Sequence, residues 1–274
     1  MNHRLRQDLQ VALLLLFSWG LPACFDGELP PGLNIACEED DDCPAAFLCS
    51  PKLARCVVES AKNGPSPSLT GPAEISPAKA RAGDTVEVTF RVSSELGLPP
   101  AVSLELGDDV AALTQLPTSS PGSFTYSYQV TGDEPEGRRV LSVTLTSAWG
   151  DSSSGLLLGA VFFDLAAPRA IRVTQSTNLV RAGVSIDVDI ELNEEVVLSE
   201  THVALQSATG VRHALRSLGD TESVMSTTYH GAFVPDGSEE EGAHVLQLVT
   251  VDAVGNEARY DELASVTFDF TPPR

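Results

Sequence analysis

The residues of this chain that have chemistry to offer are five cysteines, a few histidines and several groups of carboxylates. Four of the cysteines, Cys37, Cys43, Cys49 and Cys56, follow one another at C-x5-C-x5-C-x6-C spacing. Four thiols so close together hold zinc or pair as disulfides. Structural zinc sites use C-x2-C knuckles, which this spacing lacks, and the segment carries too few apolar side chains to build a core without crosslinks. Two disulfides are therefore expected, and their order is open because four cysteines admit three pairings. The fifth, Cys24, stands apart. It follows Leu21-Pro22-Ala23 at the end of an apolar run in which Leu13 to Phe17 are consecutive, behind a basic start with Arg4 and Arg6. A positive start, a short apolar middle and small residues before a cut mark an export signal, and the run is too short for a membrane-spanning helix. Export brings the chain into an oxidising compartment, which again favours disulfides over zinc.

The histidines after the signal, His202, His213, His230 and His244, are not spaced as in familiar metalloenzyme motifs. Catalytic zinc needs convergent ligands and a positioned base, so scattered surface histidines are the expectation, with a zinc hydrolase the least favoured function. No G-x-S-x-G elbow, phosphate-cradling G-x-x-x-x-G-K-[ST] or G-x-G-x-x-G occurs, and no enzyme is expected. Acidic groups cluster at Glu38 to Asp42, Asp108-Asp109, Glu194-Glu195 and Glu239 to Glu241, and Asp187, Asp189 and Glu191 form a stripe. Hard cations want several oxygens at one point, and calcium is the cofactor such groups would suit. Without a D-x-[DN]-x-[DN]-G loop, however, a solvated acidic surface is the first expectation.

The whole chain has 274 residues, a formal charge of −21 and 42% hydrophobic residues, enough for packed cores. Loss of residues 1–23 would take away Arg4, Arg6 and Asp8 and make the balance about one unit more negative. Such a surface argues against binding nucleic acid or anionic lipid headgroups through the protein itself, since both need clustered Lys and Arg.

The elements that must position these groups are strands. Val86, Val88, Phe90 and Val92 alternate with polar residues, as do Ile186, Val188, Ile190 and Leu192, and similar runs occupy 123–130, 139–147, 227–234 and 243–251. Period-2 alternation predicts strands with one buried face. Turn clusters follow at Gly107-Asp108-Asp109, Thr131-Gly132-Asp133 and Pro235-Asp236-Gly237. The chain also repeats itself. Val161 to Arg169 matches Val266 to Arg274 at an offset of 105, while Arg81-Ala82-Gly83 recurs as Arg181-Ala182-Gly183 at an offset of 100. The difference predicts a five-residue insertion in a loop of the second unit. Two all-β units with short strands and frequent turns predict tandem β-sandwiches of immunoglobulin type.

Three resemblances sharpen this reading. Leu21-Pro22-Ala23-Cys24 resembles the lipobox of bacterial lipoproteins, which implies a lipidated Cys24 as the first mature residue and attachment to a membrane, by family resemblance the outer one. Pro22 stands where that family usually carries a small residue, so ordinary cleavage after Ala23 stays open. Lipid on Cys24 also leaves an even number of cysteines to pair. The string Cys37 to Cys49 resembles the small Cys-rich module of secreted proteins from predatory and gliding bacteria and is similar to the first cysteine-rich repeat of dickkopf-type proteins. Ala82-Gly83-Asp84-Thr85-Val86, Val251-Asp252-Ala253-Val254-Gly255-Asn256 and Asp269-Phe270-Thr271-Pro272-Pro273 resemble motifs of tandem bacterial Ig-like domains. In that family junction ligands for calcium sometimes sit where Asp164, Asp252 and Asp269 stand here.

The expected organisation is a lipoprotein signal peptide over 1–23, a tether over 24–36, a disulfide module over 37–57, a linker over 58–71 and Ig-like sandwiches over 72–168 and 169–274. The expected function is a non-catalytic, lipid-anchored envelope or surface protein, its sandwiches a spacer and a binding or adhesion module for a protein or glycan. An accessory subunit of an envelope complex is the alternative.

Overall fold

The computed structural model describes residues 34–117, 120–218 and 225–272. The signal segment, Cys24 and most of the tether lie outside the described residues. What is described is all-β apart from three short 3-10 turns.

The chain forms two compact units. The smaller holds the cysteine-rich module together with 96–98 and 146–152. Its strands β1 (Phe47–Ser50) and β2 (Arg55–Val58) pair antiparallel with Cys49 opposite Cys56. Disulfides join Cys37 to Cys49 and Cys43 to Cys56, with Cα separations of 5.8 and 5.6 Å. The acidic run between the first two cysteines is built into this module. Asp40 Oδ1 accepts the Cys49 N–H at 2.8 Å, and Asp42 Oδ2 accepts the N–H groups of Glu38 and Glu39 at 2.8 and 3.2 Å. Those two backbone donors hold the Asp42 carboxyl below the ordinary carboxylate range.

The larger unit contains both sandwiches. In the first, the strands are β3 (Glu74–Ser76), β4 (Lys79–Ala80), β5 (Thr85–Arg91), β6 (Leu96–Leu106), β7 (Asp109–Ala112), β8 (Thr114–Leu116), β9 (Ser123–Gln129), β10 (Gly137–Ser147) and β11 (Ser152–Phe163). They form one sheet ordered β3-β5-β9-β8 and a second ordered β4-β11-β10-β6-β7. The second sandwich has β12 (Ala170–Gln175), β13 (Leu179–Val180), β14 (Ile186–Val197), β15 (His202–Ser207), β16 (Arg212–Ala214), β17 (Arg216–Ser217), β18 (Met225–Phe233), β19 (Gly242–Val251) and β20 (Glu257–Phe268). Its sheets are ordered β12-β14-β18-β17 and β13-β20-β19-β15-β16, the same arrangement strand for strand. Naming the strands of each sandwich A, A′, B, C, C′, D, E, F and G in chain order gives A-B-E-D facing A′-G-F-C-C′, an Ig-type order.

The alternation read from the sequence is the packing. Val86, Val88 and Phe90 are buried in the first sandwich, and Ile186, Val188 and Ile190 take their places in the second. Leu141, Val143 and Phe163 face them in the first, Leu246, Leu248 and Phe268 in the second. Even the parallel bridge recurs, with Ala80 opposite Phe163 and Val180 opposite Phe268. The extra residues of the second unit do not form one insertion. Register places Val203 with Val102, Ala214 with Ala112 and Tyr229 with Phe124, so the offset grows in steps at three connections, the largest between β17 and β18. Connections absorb added residues without disturbing a ladder whose slip by one would turn every core side chain outward.

Candidate functional site

Asp252 directly follows β19 and is only 2% exposed. Its Oδ1 accepts the backbone N–H groups of Val254, Gly255 and Asn256 at 2.8–2.9 Å, and its Oδ2 accepts the Asn256 Nδ2 at 2.8 Å. One carboxylate thus closes the Asp-x-x-Gly-Asn turn. Gly255 has φ +94°, a left-handed conformation that favours glycine, and a Cβ there would meet Arg81 Nη1 at 2.8 Å, so any larger residue would also have to shift that guanidinium.

This turn meets the first sandwich within the larger unit. Arg81 donates through Nη1 to the Gly255 carbonyl. Asn256 Nδ2 reaches the carbonyl oxygens of Asp164 and Ala166 at 2.9 and 3.3 Å. Beside it the Tyr260 hydroxyl accepts the Ala170 N–H at 3.2 Å and donates to the Pro168 carbonyl at 3.4 Å, tying down the segment that joins the sandwiches.

Here the structure gathers carboxylates. One oxygen each from Asp164, Glu194 and Asp252 lies within 4.8 Å of the others. Burial, then the charge of Asp252, pushes the Asp164 carboxyl above its ordinary range, with nearby Lys79 opposing. Burial, then the charges of Asp164 and Asp252, does the same to Glu194. Two of the three residues expected as junction ligands therefore converge. Asp269 does not: it follows β20, donates its N–H to the Val180 carbonyl at 3.0 Å and accepts the Thr271 N–H at 3.2 Å. Glu194 is the member that spacing did not single out as a ligand, because it comes from the far part of β14 and arrives by folding. Three carboxylates at this separation suit a hard cation or a shared proton.

Two other acidic groups pair within their own sandwich. Asp189 lies on the exposed face of β14 and pairs with His230 Nδ1 at 2.5 Å. Glu134 is 8% exposed and accepts the Thr131 and Gly132 N–H groups and the Tyr128 hydroxyl, each at 2.8 Å. Burial alone would raise its carboxyl, but these donors outweigh it and bring the pKa down to about 2. Burial and the bond to Glu134 push Tyr128 up to about 12.

The histidines are not all on the surface. His244 is fully buried, its ring stacked 4.1 Å from Phe268, and His213 packs 5.8 Å from it. Both carry a buried Nε2 without a partner among the described residues. They fall on β19 and β16 with side chains turned to the core, which the sequence distance between them conceals.

In the smaller unit, Ser50 Oγ donates to the Trp149 carbonyl at 2.7 Å, Lys52 pairs with Asp151, and Arg55 donates to the Gly97 carbonyl. The Lys62 ammonium stands 5.6 Å over the Trp149 ring. A Cβ on Gly97 would lie 2.3 Å from the Ser147 carbonyl oxygen, so glycine is required at this contact. Trp149 is therefore a turn residue that packs against the cysteine-rich module.

A scan against protein-family models and a search of curated proteins found no match. Among solved structures the chain is similar to an I-band fragment, I67–I69, of titin, at 12% identity and a TM-score of 0.41, covering 76% of this chain and 66% of that one. It is also similar to the D1–D4 ectodomain fragment of ICAM-5, at 15% identity and a TM-score of 0.30 over 74% of this chain and 53% of that one. A third similarity is to a tetra-tandem repeat from the extending region of a large adhesion protein, at 13% identity and a TM-score of 0.33, over 73% and 50%. The chain spans about two thirds of the first of these and about half of the other two. The Ig-like assignment rests on the strand order above, and these neighbours are Ig-like tandem and adhesion domains.

Proposed function

We propose that this protein is an exported, non-catalytic spacer and binding module, held to a membrane by lipid on Cys24 and built to present its second sandwich to a protein or glycan. The observation that carries the reading is the junction. Arg81, Asp164 and Ala166 hold the Gly255-Asn256 turn, and Tyr260 holds the connecting segment, so two repeats are fastened by polar contacts at their ends. Fastened repeats of one domain suit a protein that must hold a surface at a distance. Two or more acyl chains would make the anchor stable, whereas one gives only reversible binding.

The test is metabolic labelling with an alkyne fatty acid and detergent phase partition of the full chain beside Cys24→Ser. Label and detergent partition that both vanish in the variant support the anchor, and an unlabelled wild-type protein overturns it. Crosslinking in cells then decides the role: one stoichiometric envelope partner would favour an accessory subunit over an outward-facing adhesion module.

A second reading, calcium-stiffened adhesion, is favoured by the convergence of Asp164, Glu194 and Asp252. It requires calcium to raise the melting temperature of the wild type and to have no such effect on Glu194→Gln.

A further inference from the structure

We propose that the end of the second sandwich formed by 181–184, 234–241 and 268–271 is a docking face for the Asp-x-x-Gly-Asn turn of another Ig-like sandwich. The proposal rests on the spacer reading and deepens it by naming the kind of partner. Its basis is the internal repeat: the first sandwich uses the corresponding end to hold the second.

The two ends share several bonds of their construction. Gly83 donates its N–H to the Val130 carbonyl at 2.9 Å, and Gly183 donates to the Pro235 carbonyl at 2.7 Å. Glu134 accepts the N–H groups of Thr131 and Gly132, and Glu239 accepts those of Asp236 and Gly237 at 3.1 and 2.9 Å. Asp164 donates to the Ala80 carbonyl and Asp269 to the Val180 carbonyl, each at 3.0 Å. The three groups that grip the docked turn in the first sandwich, Arg81 and the carbonyls of Asp164 and Ala166, therefore have counterparts in Arg181 and the carbonyls of Asp269 and Thr271.

The ends also differ in what they satisfy internally: in the second, Glu241 accepts the Phe270 N–H at 2.7 Å and the Thr271 hydroxyl at 3.0 Å, which Glu136 does not repeat among the described residues of the first, while other bonds of the first are missing from the second. In the first, Asp84 Oδ2 accepts the Arg81 N–H at 3.0 Å, and Gln129 Nε2 donates to the Gly83 and Asp84 carbonyls at 2.8 and 3.2 Å. The second has Val184 and Val234 at those places, 47% and 55% exposed. Arg181 has no side-chain partner among the described residues, whereas Arg81 has Gly255. An exposed arginine near two exposed valines suits a partner that brings a carbonyl and covers apolar surface.

The occupant is not a second copy of this chain. Its Asp252–Asn256 turn is already engaged with Arg81 and Asp164. The matching turn of the first sandwich reads Ser147-Ala148-Trp149-Gly150-Asp151, places a carboxylate where the amide must donate, and binds Lys52. The partner is a further sandwich with asparagine at the last position of its turn.

The experiment extends the full chain after Arg274 by a second copy of residues 169–274, whose Asp252–Asn256 turn supplies the probe. With Cys24→Ser and the native disulfides oxidised, spin labels at Glu87→Cys and Asp187→Cys give the distance distribution of the native junction. Labels at Asp187→Cys and its equivalent in the added sandwich report the new one. A peak as narrow as the native reference is expected, and it should be lost with Arg181→Glu. A second variant, Asn256→Asp in the added copy alone, should also lose it while the native reference stays narrow, which shows that the rest of the protein is folded. A broad distribution in the unmutated extended chain, or a narrow one that survives both variants, overturns the docking face. Neither result touches Cys24 labelling, which tests the anchor separately.

Discussion

The side-chain amide of Asn256 donates to the carbonyl of Asp164 at 2.9 Å, across ninety-two positions of sequence. The same nitrogen also faces the Ala166 carbonyl and Asp252 Oδ2, so three acceptors surround one amide. Only a donor fits there.

Asn256→Asp turns that donor into a fourth acceptor. Loss of bonds in a part-buried site, with new repulsion from Asp252, should destabilise the second sandwich by about 2 kcal/mol. Urea unfolding followed by intrinsic fluorescence checks this, and the midpoint should fall with an unchanged m-value. An unaltered midpoint would mean that the amide is solvated rather than buried in the junction.

Glu194→Gln should act in the opposite direction. Its carboxyl is raised in the folded protein by burial and by Asp164 and Asp252. A raised carboxylate binds its proton more tightly when folded, so its charge costs stability at neutral pH, and the cost fades as pH falls through the raised value. The substitution should stabilise the protein by about 0.5 kcal/mol at pH 7, a figure discounted for water access. The gain should shrink as pH falls through the raised value and vanish below the ordinary value of 4.5, and melting at pH 7 and pH 4 in chelator checks it.

For Glu134 the sign reverses. Its pKa falls to about 2 on folding from an ordinary 4.5, so its bonds stabilise fully above the ordinary value and are lost as pH drops toward the lower one. Glu134→Gln should cost about 2 kcal/mol at pH 7 and almost nothing near pH 2. Urea titrations across that range should show a flatter acid decline in the variant.

The fold was legible because its information is local and repeated. Val86, Val88 and Phe90 alternate, Ile186, Val188 and Ile190 alternate again, and each set has one face to bury. Asp164 and Asp252 could be marked because they stand where a resemblance to tandem Ig-like domains implies junction ligands. Glu194 could not, since nothing in Glu194-Glu195 says which carboxylate β14 turns toward Asp252. The burial of His244 was hidden for a related reason. It occupies the position of Arg139 in the first repeat, so the repeat itself suggests a surface site, and only the packing of Phe233, Phe268 and Phe270 around that strand end makes it interior.

That environment yields the last prediction. His244 Nδ1 faces the Gly242 carbonyl at 3.1 Å and so carries the ring proton, which leaves Nε2 a bare acceptor without a partner among the described residues. A buried acceptor left unpaired costs about 1 kcal/mol or more, whereas the bond to Gly242 returns a comparable amount. Phenylalanine keeps the ring and its stacking on Phe268, gives up both the bond and the orphan, and adds apolar area in a cluster that is already aromatic. His244→Phe should therefore raise stability at pH 7 by about 1 kcal/mol. A lowered melting temperature in the variant would show instead that Nε2 is satisfied, by water or an ion, and that the imidazole is held for a polar role.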